Sequence, residues 1–108
     1  MAENVSELNS KSFDKFLNGD NVVVDFWASW CGPCKILDPQ FEGAASELKD
    51  RVKFGKVNVD ENSELAQKFG VMSIPTLIFF NDKQKVDSAT GMVSKDEIVD
   101  KAKRAFGK

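Results

Sequence analysis

The sequence of 108 residues has no histidine and no tyrosine, and its only cysteines are Cys31 and Cys34. Histidine is the commonest general base and the commonest metal ligand near neutral pH, so its absence removes the usual partner of a catalytic serine or cysteine. One cysteine pair also supplies only half of the four ligands that a structural zinc site needs. These absences leave thiol–disulfide exchange as the favoured chemistry of the pair, with an inert structural disulfide as the alternative.

A basic surplus and a long apolar run are also missing. The formal net charge is −2, so no positive field is available for nucleic acid or an anionic membrane. No apolar run approaches the roughly 20 residues of a membrane span, and the acidic start at residues 1–7 is unlike a signal or transit peptide. These features predict a cytoplasmic protein without nucleic-acid or membrane partners, with a mature organelle protein as the alternative. Length and composition are typical of one domain, residues 1–108.

Hydrophobic periodicity, caps and turn residues predict nine elements. Asn9 or Ser10 is predicted to cap the first helix, and Ser94 and Glu97 have the spacing of a capping box for the last one. Strands are expected at residues 4–8, 22–28, 52–60, 74–80 and 85–90, and helices at about 10–17, 34–48, 63–69 and 95–106. Alternating strands and helices imply parallel pairs with right-handed crossovers, and the last two strands read as an antiparallel hairpin. The sequence therefore predicts an α/β fold, in which a central mixed sheet of five strands has four helices on its two faces.

Two of these elements carry an irregularity. In the third strand the apolar alternation slips at Gly55 and Lys56, which predicts either a bulge or a strand covered on both sides. Either arrangement can turn Lys56 inward, although a strand lysine is more often exposed. In the second helix, Pro39 removes a backbone donor and crowds the carbonyl of Lys35, so a kink is expected there.

The segment Cys31-Gly32-Pro33-Cys34 lies between the second strand and the second helix. The thiolate is the reactive form, and it is favoured on Cys31 because unpaired donors and the dipole at the helix N-terminus stabilise it. The dipole contributes about 0.3–1 kcal/mol, less than the about 1.36 kcal/mol of one pKa unit, so hydrogen bonds to the sulfur should supply more. Cys34, one turn further, is placed to attack a mixed disulfide. Gly32 lets a partner backbone approach, and Pro33 fits the first helical turn.

Asp25 interrupts the apolar run of the second strand. A buried carboxylate without partners loses solvation, and this loss raises its pKa. In a chain without histidine, such a carboxylate is the natural acid/base group for Cys34, and Lys56 is a candidate charge partner that would limit the rise. The alternative is a hydrogen-bonded core residue with no catalytic task. Of the two tryptophans, Trp27 is expected in the core and Trp30 at the surface beside the cysteines.

The run WASWCGPCK at residues 27–35 resembles the thioredoxin family. The resemblance extends over essentially the whole chain, through Val24-Asp25-Phe26, Pro39, residues 57–60, Ile74-Pro75-Thr76 and Gly91. It implies a thioredoxin-like three-layer α/β/α sandwich. It also implies a general protein-disulfide reductase, an electron carrier of cell redox homeostasis, that cycles Cys31 and Cys34 between dithiol and disulfide.

The resemblance further implies roles for individual positions. Pro75 matches the family's cis-proline, which faces the dithiol, while Asp25 and Lys56 match its buried acid and the neighbouring lysine. The surface on which partners dock corresponds to Trp30, Gly32, Pro33, Ile74, Gly91 and Met92. The Gly-Pro pair between the cysteines is similar to that of the reducing members of the fold. No bound cofactor or metal is expected; a thioredoxin reductase would supply electrons to a monomer whose partners are disulfide-containing proteins.

The sequence also departs from the family pattern. The hairpin turn is Asn81-Asp82-Lys83 where Asn-Gly is usual, which predicts a different turn geometry remote from the dithiol. Met92 is bulkier than the usual small residue, and it and Met72 would alter partner preference. Two rival functions stay open at this point. One is a disulfide oxidase or isomerase, which a strongly oxidising reduction potential would indicate, and the other is a binding subunit without redox turnover.

Overall fold

The computed structural model describes residues 4–107, which form one five-stranded mixed sheet and four helices. The strands are β1 (Val5–Leu8), β2 (Asn21–Trp27), β3 (Lys53–Asn58), β4 (Thr76–Asn81) and β5 (Gln84–Thr90). The helices are α1 (Phe13–Leu17), α2 (Gly32–Glu47), α3 (Ser63–Lys68) and α4 (Lys95–Phe106). The predicted α/β architecture is confirmed. No helix within this range is both long and apolar enough to cross a membrane.

The sheet has the strand order β1-β3-β2-β4-β5, which puts β2 at its centre. β3 pairs in parallel with β1 and β2, and β4 and β5 form the predicted antiparallel hairpin. β4 is also antiparallel to β2, so the expectation of parallel pairs between alternating units is wrong at this step. The reason is the short connection: a helix of six residues such as α3 spans about 9 Å, less than half the length of a six-residue strand. The helix therefore does not carry the chain back along the sheet, and β4 begins at the end where β3 finishes.

Both faces of the central strand are buried, which explains its continuous apolar run. On one face, Val23 belongs to a core that also contains Phe41 of α2 and Ile98 of α4. On the other face, Phe13 of α1 packs edge-on against Phe80 of β4, with ring centroids 5.7 Å apart. The sheet is therefore the middle layer of three, and the helices α2 and α4 lie on the same side of it.

The third strand has no bulge at the position where its apolar pattern slips. Its register with β1 and with β2 runs without a shift, so the bulge is wrong and the strand is covered on both sides. Gly55 is a point of close packing instead, because a Cβ atom there would lie 2.6 Å from the Cδ1 methyl of Leu8, which would have to move. Lys56 is turned inward, with only 15 % of its side chain exposed.

Helix α2 begins at Gly32, two residues earlier than predicted. The reason is local: Cys31 has extended backbone and caps the helix, so the turn that follows it is already helical. Pro39 lies inside α2, and the helix continues beyond it to Glu47. The kink at this proline stays a prediction.

The predicted N-terminal cap is confirmed for α4 and wrong for α1. Ser94 and Glu97 form the predicted capping box of α4, with both reciprocal hydrogen bonds present. Asn9 or Ser10 was expected to cap α1, but the N-cap residue is Ser12 and its side chain makes no capping bond. The side chain of Asn9 instead accepts hydrogen bonds in the turn just before the helix.

The hairpin between β4 and β5 keeps a turn backbone that usually needs glycine. Asp82 and Lys83 both have positive φ, 47° and 75°, as the two central residues of a type I′ turn require. The expected difference in turn geometry is therefore wrong. Asp82 is held in place because its carboxylate accepts from the N–H of Gly19 at 2.8 Å and its own N–H donates to the carbonyl of Asp20.

Candidate active site

Cys31 and Cys34 form a disulfide that lies where β2 ends and α2 begins. Their Cα atoms are 5.3 Å apart. Cys31 is the N-cap residue of α2, and Cys34 lies inside its first turn. Pro33 fits between them because its fixed φ suits the first helical positions and the N–H it lacks would be unpaired there. The side chains described in residues 4–107 include no cluster of three or more ligands that could hold a metal ion.

The two sulfur atoms differ in their relation to the helix. The Sγ atom of Cys31 accepts a hydrogen bond from the backbone N–H of Cys34 at 3.2 Å. In the reduced protein the same donor and the helix dipole would stabilise a thiolate on Cys31. Exposure does not distinguish the residues, since Cys31 is 3 % exposed and Cys34 is 2 % exposed. The disulfide is buried, and Trp27 and Ile74 pack against it.

Asp25 is buried at the centre of the sheet, and nothing in the described part of the chain hydrogen-bonds to its side chain. The residue is 0 % exposed, and neither carboxylate oxygen accepts a hydrogen bond from a described residue. A core hydrogen bond to this carboxylate is not found among the described residues, and the catalytic task of Asp25 stays a prediction. Burial raises the pKa of Asp25 from 3.8 to about 7, against the opposing effect of the Lys56 charge. A carboxyl group with this pKa can take up and release a proton near neutral pH.

Three neighbouring strands place ionisable side chains in one row across the sheet. Lys56 of β3 is directly opposite Glu7 of β1 on one side and Asp25 of β2 on the other. Asp38 of α2 reaches this row, and its carboxylate lies 3.0 Å from the Nζ atom of Lys56. The predicted charge partner of Asp25 thus forms its ion pair with Asp38, and it lowers the pKa of Asp25 through its field.

Asp38 and Glu7 were missed by reasoning from the sequence. Asp38 has a usable signal, because it follows Cys34 by four residues and therefore lies on the same face of α2. Glu7 has no local signal, because its place beside Lys56 depends on the pairing of strands that are far apart in sequence. Burial also raises the pKa of Glu7, and Lys56 lowers it. The row is therefore a coupled set of charges and not an isolated carboxylate.

The loop that precedes β4 lies against the disulfide. The peptide bond between Ile74 and Pro75 is cis, as the resemblance implies, and Ile74 packs against the cluster that contains both cysteines. The backbone N–H of Gly91 donates to the carbonyl of Pro75 at 2.8 Å. This bond brings Gly91, and with it Met92, beside the loop, although these residues are far from the cysteines in sequence.

Large apolar side chains are exposed around this region. Trp30 is 68 % exposed, Met92 is 47 % exposed, and Met72 is 95 % exposed. The indole N–H of Trp30 donates to the carboxylate of Asp60 at 2.8 Å, a contact that the sequence did not predict and that fixes the ring. A shallow groove runs from this ring along α3 and the loop after it, lined by Val59, Ser63, Ala66, Gln67, Val71, Met72, Ser73 and Ile74. An exposed apolar patch of this kind is typical of a surface that binds other proteins.

Comparisons with known proteins agree with this geometry. The thioredoxin family model matches residues 4–104. A thioredoxin of Rickettsia typhi is 41 % identical over 101 residues, which cover 93 % of this chain and 94 % of that protein. A thioredoxin of Chlamydia pneumoniae is 46 % identical over 92 residues, which cover 85 % and 89 %. The solved structure of an N21Q mutant thioredoxin from Halobacterium salinarum has a TM-score of 0.88 at 31 % identity, covering 96 % and 92 %.

Proposed function

This chain belongs to the thioredoxin family, and from that membership we propose how its residues carry out the reaction. The protein is a dithiol–disulfide reductase that acts on disulfides in other proteins. The observation that carries this function is the disulfide between Cys31 and Cys34, with Cys31 as the N-cap of α2. Members of the family need no bound cofactor. We treat residues 1–108 as one thioredoxin domain.

The proposed cycle begins with the thiolate of Cys31. Its sulfur attacks one sulfur of the target disulfide, which forms a mixed disulfide and releases the first target thiolate. Cys34 then gives its proton to the carboxylate of Asp25, and its sulfur attacks the sulfur of Cys31. The second target thiolate leaves, and Cys31 and Cys34 are joined. Each target thiolate takes up a proton, so the target gains two electrons and two protons while this protein is oxidised.

The role of Asp25 as the base for Cys34 is supported by burial and by position. Its pKa, raised by burial to about 7, allows it to hold a proton at one stage and accept it at another near neutral pH. Asp25 interacts electrostatically with Asp38, which lies one turn after Cys34 on α2, so acid and thiol share the interface between β2 and this helix. No histidine competes for the task.

Replacing Asp25 with asparagine should slow the second step of the cycle and spare the first. An ordinary thiol is only about 3 % ionised at pH 7, so losing the base should cost the attack by Cys34 roughly 10- to 30-fold. Rapid-mixing kinetics can measure formation and resolution of the mixed disulfide separately, with the wild type as reference. Equal slowing of both steps would contradict the assignment of Asp25 to Cys34.

The exposed apolar residues around the disulfide are proposed as the docking surface for targets. Ile74 packs against the cysteines, Trp30 directly precedes Cys31, and Gly91 donates to the carbonyl of Pro75 with Met92 next to it in the chain. Met72 extends this surface along the groove that Trp30 and Ile74 also line. An extended target segment is proposed to lie along Ile74 and Pro75, where backbone hydrogen bonds give affinity whatever the target sequence. Gly32 and Pro33 are exposed at the start of α2 and leave the approach open.

The electron source, location and assembly are also proposals. A thioredoxin reductase is proposed to return Cys31 and Cys34 to the dithiol, since the family membership supplies that partner class. The balanced charge and the absence of a spanning helix in the described range fit a protein that works in the cytoplasm as a monomer. No feature of the described surface adds a nucleic-acid or membrane partner to this proposal.

The reduction potential of the pair tests the direction of the reaction. General values are about −270 mV for thioredoxins and about −120 mV for strongly oxidising members of the fold. We expect a potential below about −230 mV for the Cys31–Cys34 pair. The measurement equilibrates the protein with thiol–disulfide buffers of known potential and quantifies free thiols by alkylation. A value near that of the strong oxidants would contradict the reductase and favour the oxidase or isomerase.

A further inference from the structure

We propose that Asp38 is a positioning residue: by binding the ammonium group of Lys56, it keeps that group from forming an ion pair with Asp25. The inference rests on the proposed role of Asp25 as the base for Cys34, and it assigns a task to a side chain outside that pair. The ion-pair partner of Asp38 is Lys56. Asp38 acts through Lys56, and through its own charge, on the group that exchanges the proton.

The geometry shows an ion pair at Asp38 where one at Asp25 would be expected. Lys56 is the direct neighbour of Asp25 in the register of β2 and β3, and the buried carboxylate of Asp25 has no hydrogen-bond partner among the described residues. A lysine in this place would ordinarily satisfy such a carboxylate. Instead its Nζ atom lies 3.0 Å from the carboxylate of Asp38. The same Nζ atom lies 4.6 Å from the centre of the Trp27 ring at the end of β2, which gives the ammonium group a second contact besides Asp38.

Three charged side chains, each from a different strand or helix, change the pKa of Asp25. Lys56 faces it from β3, Asp38 from α2 and Glu7 from β1, while its neighbour on β4 is the apolar Leu77. Lys56 lowers the pKa of Asp25, and both carboxylates raise it. Asp38 therefore raises the pKa of Asp25 in two ways. Its own negative charge disfavours the ionised carboxyl, and its ion pair keeps the ammonium group of Lys56 from pairing with Asp25.

Loss of the Asp38 charge should therefore let Lys56 pair with Asp25. A carboxylate that gains an opposite charge within about 4–6 Å has its pKa lowered by roughly 1–3 units. Asp25 would then be ionised at lower pH and would be a weaker base for the thiol of Cys34. Asp38 is 35 % exposed, so Asp38→Asn removes the charge at a site that tolerates an amide of the same shape.

The direct test is a titration of the Asp25 carboxyl carbon by NMR in the oxidised protein, which needs no turnover. Asp38→Asn should move the midpoint at least about 1 pH unit lower than in the wild type. Glu42→Gln is the matched control, because it removes the same charge from an exposed position one turn further along α2 and should leave the midpoint in place. An unchanged or higher midpoint in Asp38→Asn would overturn the proposal.

A double-mutant cycle separates the hold on Lys56 from the direct charge of Asp38. Lys56→Gln alone should raise the Asp25 midpoint, since it removes the one cation of the row. In that background Asp38→Asn should lower the midpoint much less than it does in the wild type, because no ammonium group is left to release. Equal lowering in the two backgrounds would mean that only the charge of Asp38 matters, and the positioning role would be overturned.

The catalytic consequence is read from the pH dependence of mixed-disulfide resolution. In Asp38→Asn the acid limb of this profile should move to lower pH by the same amount as the titration, while the rate of mixed-disulfide formation stays as in the wild type. A titration that moves without the profile would overturn the link to the reaction. Reductase turnover by the wild type is measured separately. If the wild type turns over targets but the Asp38→Asn results fail, the role of Asp38 is wrong and the reductase function stands.

Discussion

Replacing Cys31 with serine should reduce the turnover of protein disulfides to the rate observed without the protein, whereas replacing Cys34 should leave the first chemical step intact. A serine hydroxyl is not ionised near neutral pH, so the Cys31→Ser variant has no nucleophile at the helix N-terminus. The Cys34→Ser variant keeps the thiolate of Cys31 and lacks the group that resolves the mixed disulfide. It should therefore bind one target molecule covalently and stop.

Intact-mass measurement after mixing with a disulfide-containing protein distinguishes these outcomes. Cys34→Ser should gain the mass of one target chain, and the adduct should disappear on addition of a small thiol. Cys31→Ser should gain far less, because Cys34 lies inside the first turn, away from the N-cap position and the backbone N–H that favour a thiolate on Cys31. The variant without either cysteine is the blank. An adduct on Cys31→Ser and none on Cys34→Ser would reverse the assigned roles.

Replacing Asp25 with alanine should stabilise the oxidised protein at pH 8 by about 2–4 kcal/mol and change its stability far less at pH 4. The pKa of this carboxyl is 3.8 when exposed and about 7 when folded, because burial disfavours its charge. That difference corresponds to about 4 kcal/mol, from which the small cavity left by alanine subtracts.

The sign follows from proton binding. Below about pH 4 both folded and unfolded chains carry the proton, so the wild type has no penalty there. Between about pH 4 and pH 7 the unfolded chain loses the proton while the folded chain keeps it, and the free energy of unfolding falls as pH rises. Above about pH 7 the penalty is complete.

Urea unfolding of the oxidised wild type and Asp25→Ala at pH 4 and pH 8 measures this difference. Glu42→Ala serves as the exposed control and should change the free energy of unfolding by less than about 0.5 kcal/mol at both pH values. An Asp25→Ala variant whose gain is the same at the two pH values would contradict the buried, neutral carboxyl.

The features that depend on a few neighbouring residues could be predicted from the sequence. The capping box at Ser94 and Glu97 is one example, and the position of Cys31 at the start of α2 is another, since both are determined within one helical turn. The burial of β2 on both faces could also be predicted, because a continuous apolar run puts apolar side chains on both faces of the strand and leaves neither face polar. Asp25 was conspicuous for the same reason.

The features that depend on strand pairing could not be predicted in the same way. The reversed direction of β4 and the neighbourhood of Glu7 and Lys56 follow from contacts between segments about 50 residues apart, and no local pattern carries that information. The ion pair of Lys56 with Asp38 was missed because the sequence shows a lysine that turns inward but not which carboxylate it meets. The resemblance to a family supplied the cis bond before Pro75, which composition and periodicity do not show.

The most direct test of the central claim is the catalytic reduction of a disulfide-containing protein, with a thioredoxin reductase regenerating the Cys31–Cys34 dithiol. The wild type should turn over many target molecules per chain, and the variant with both cysteines replaced by serine should turn over none. A wild type that reduces no target while its cysteines are intact would contradict the account. So would a double-serine variant that supports the full cellular role, because the function would then be binding without redox turnover.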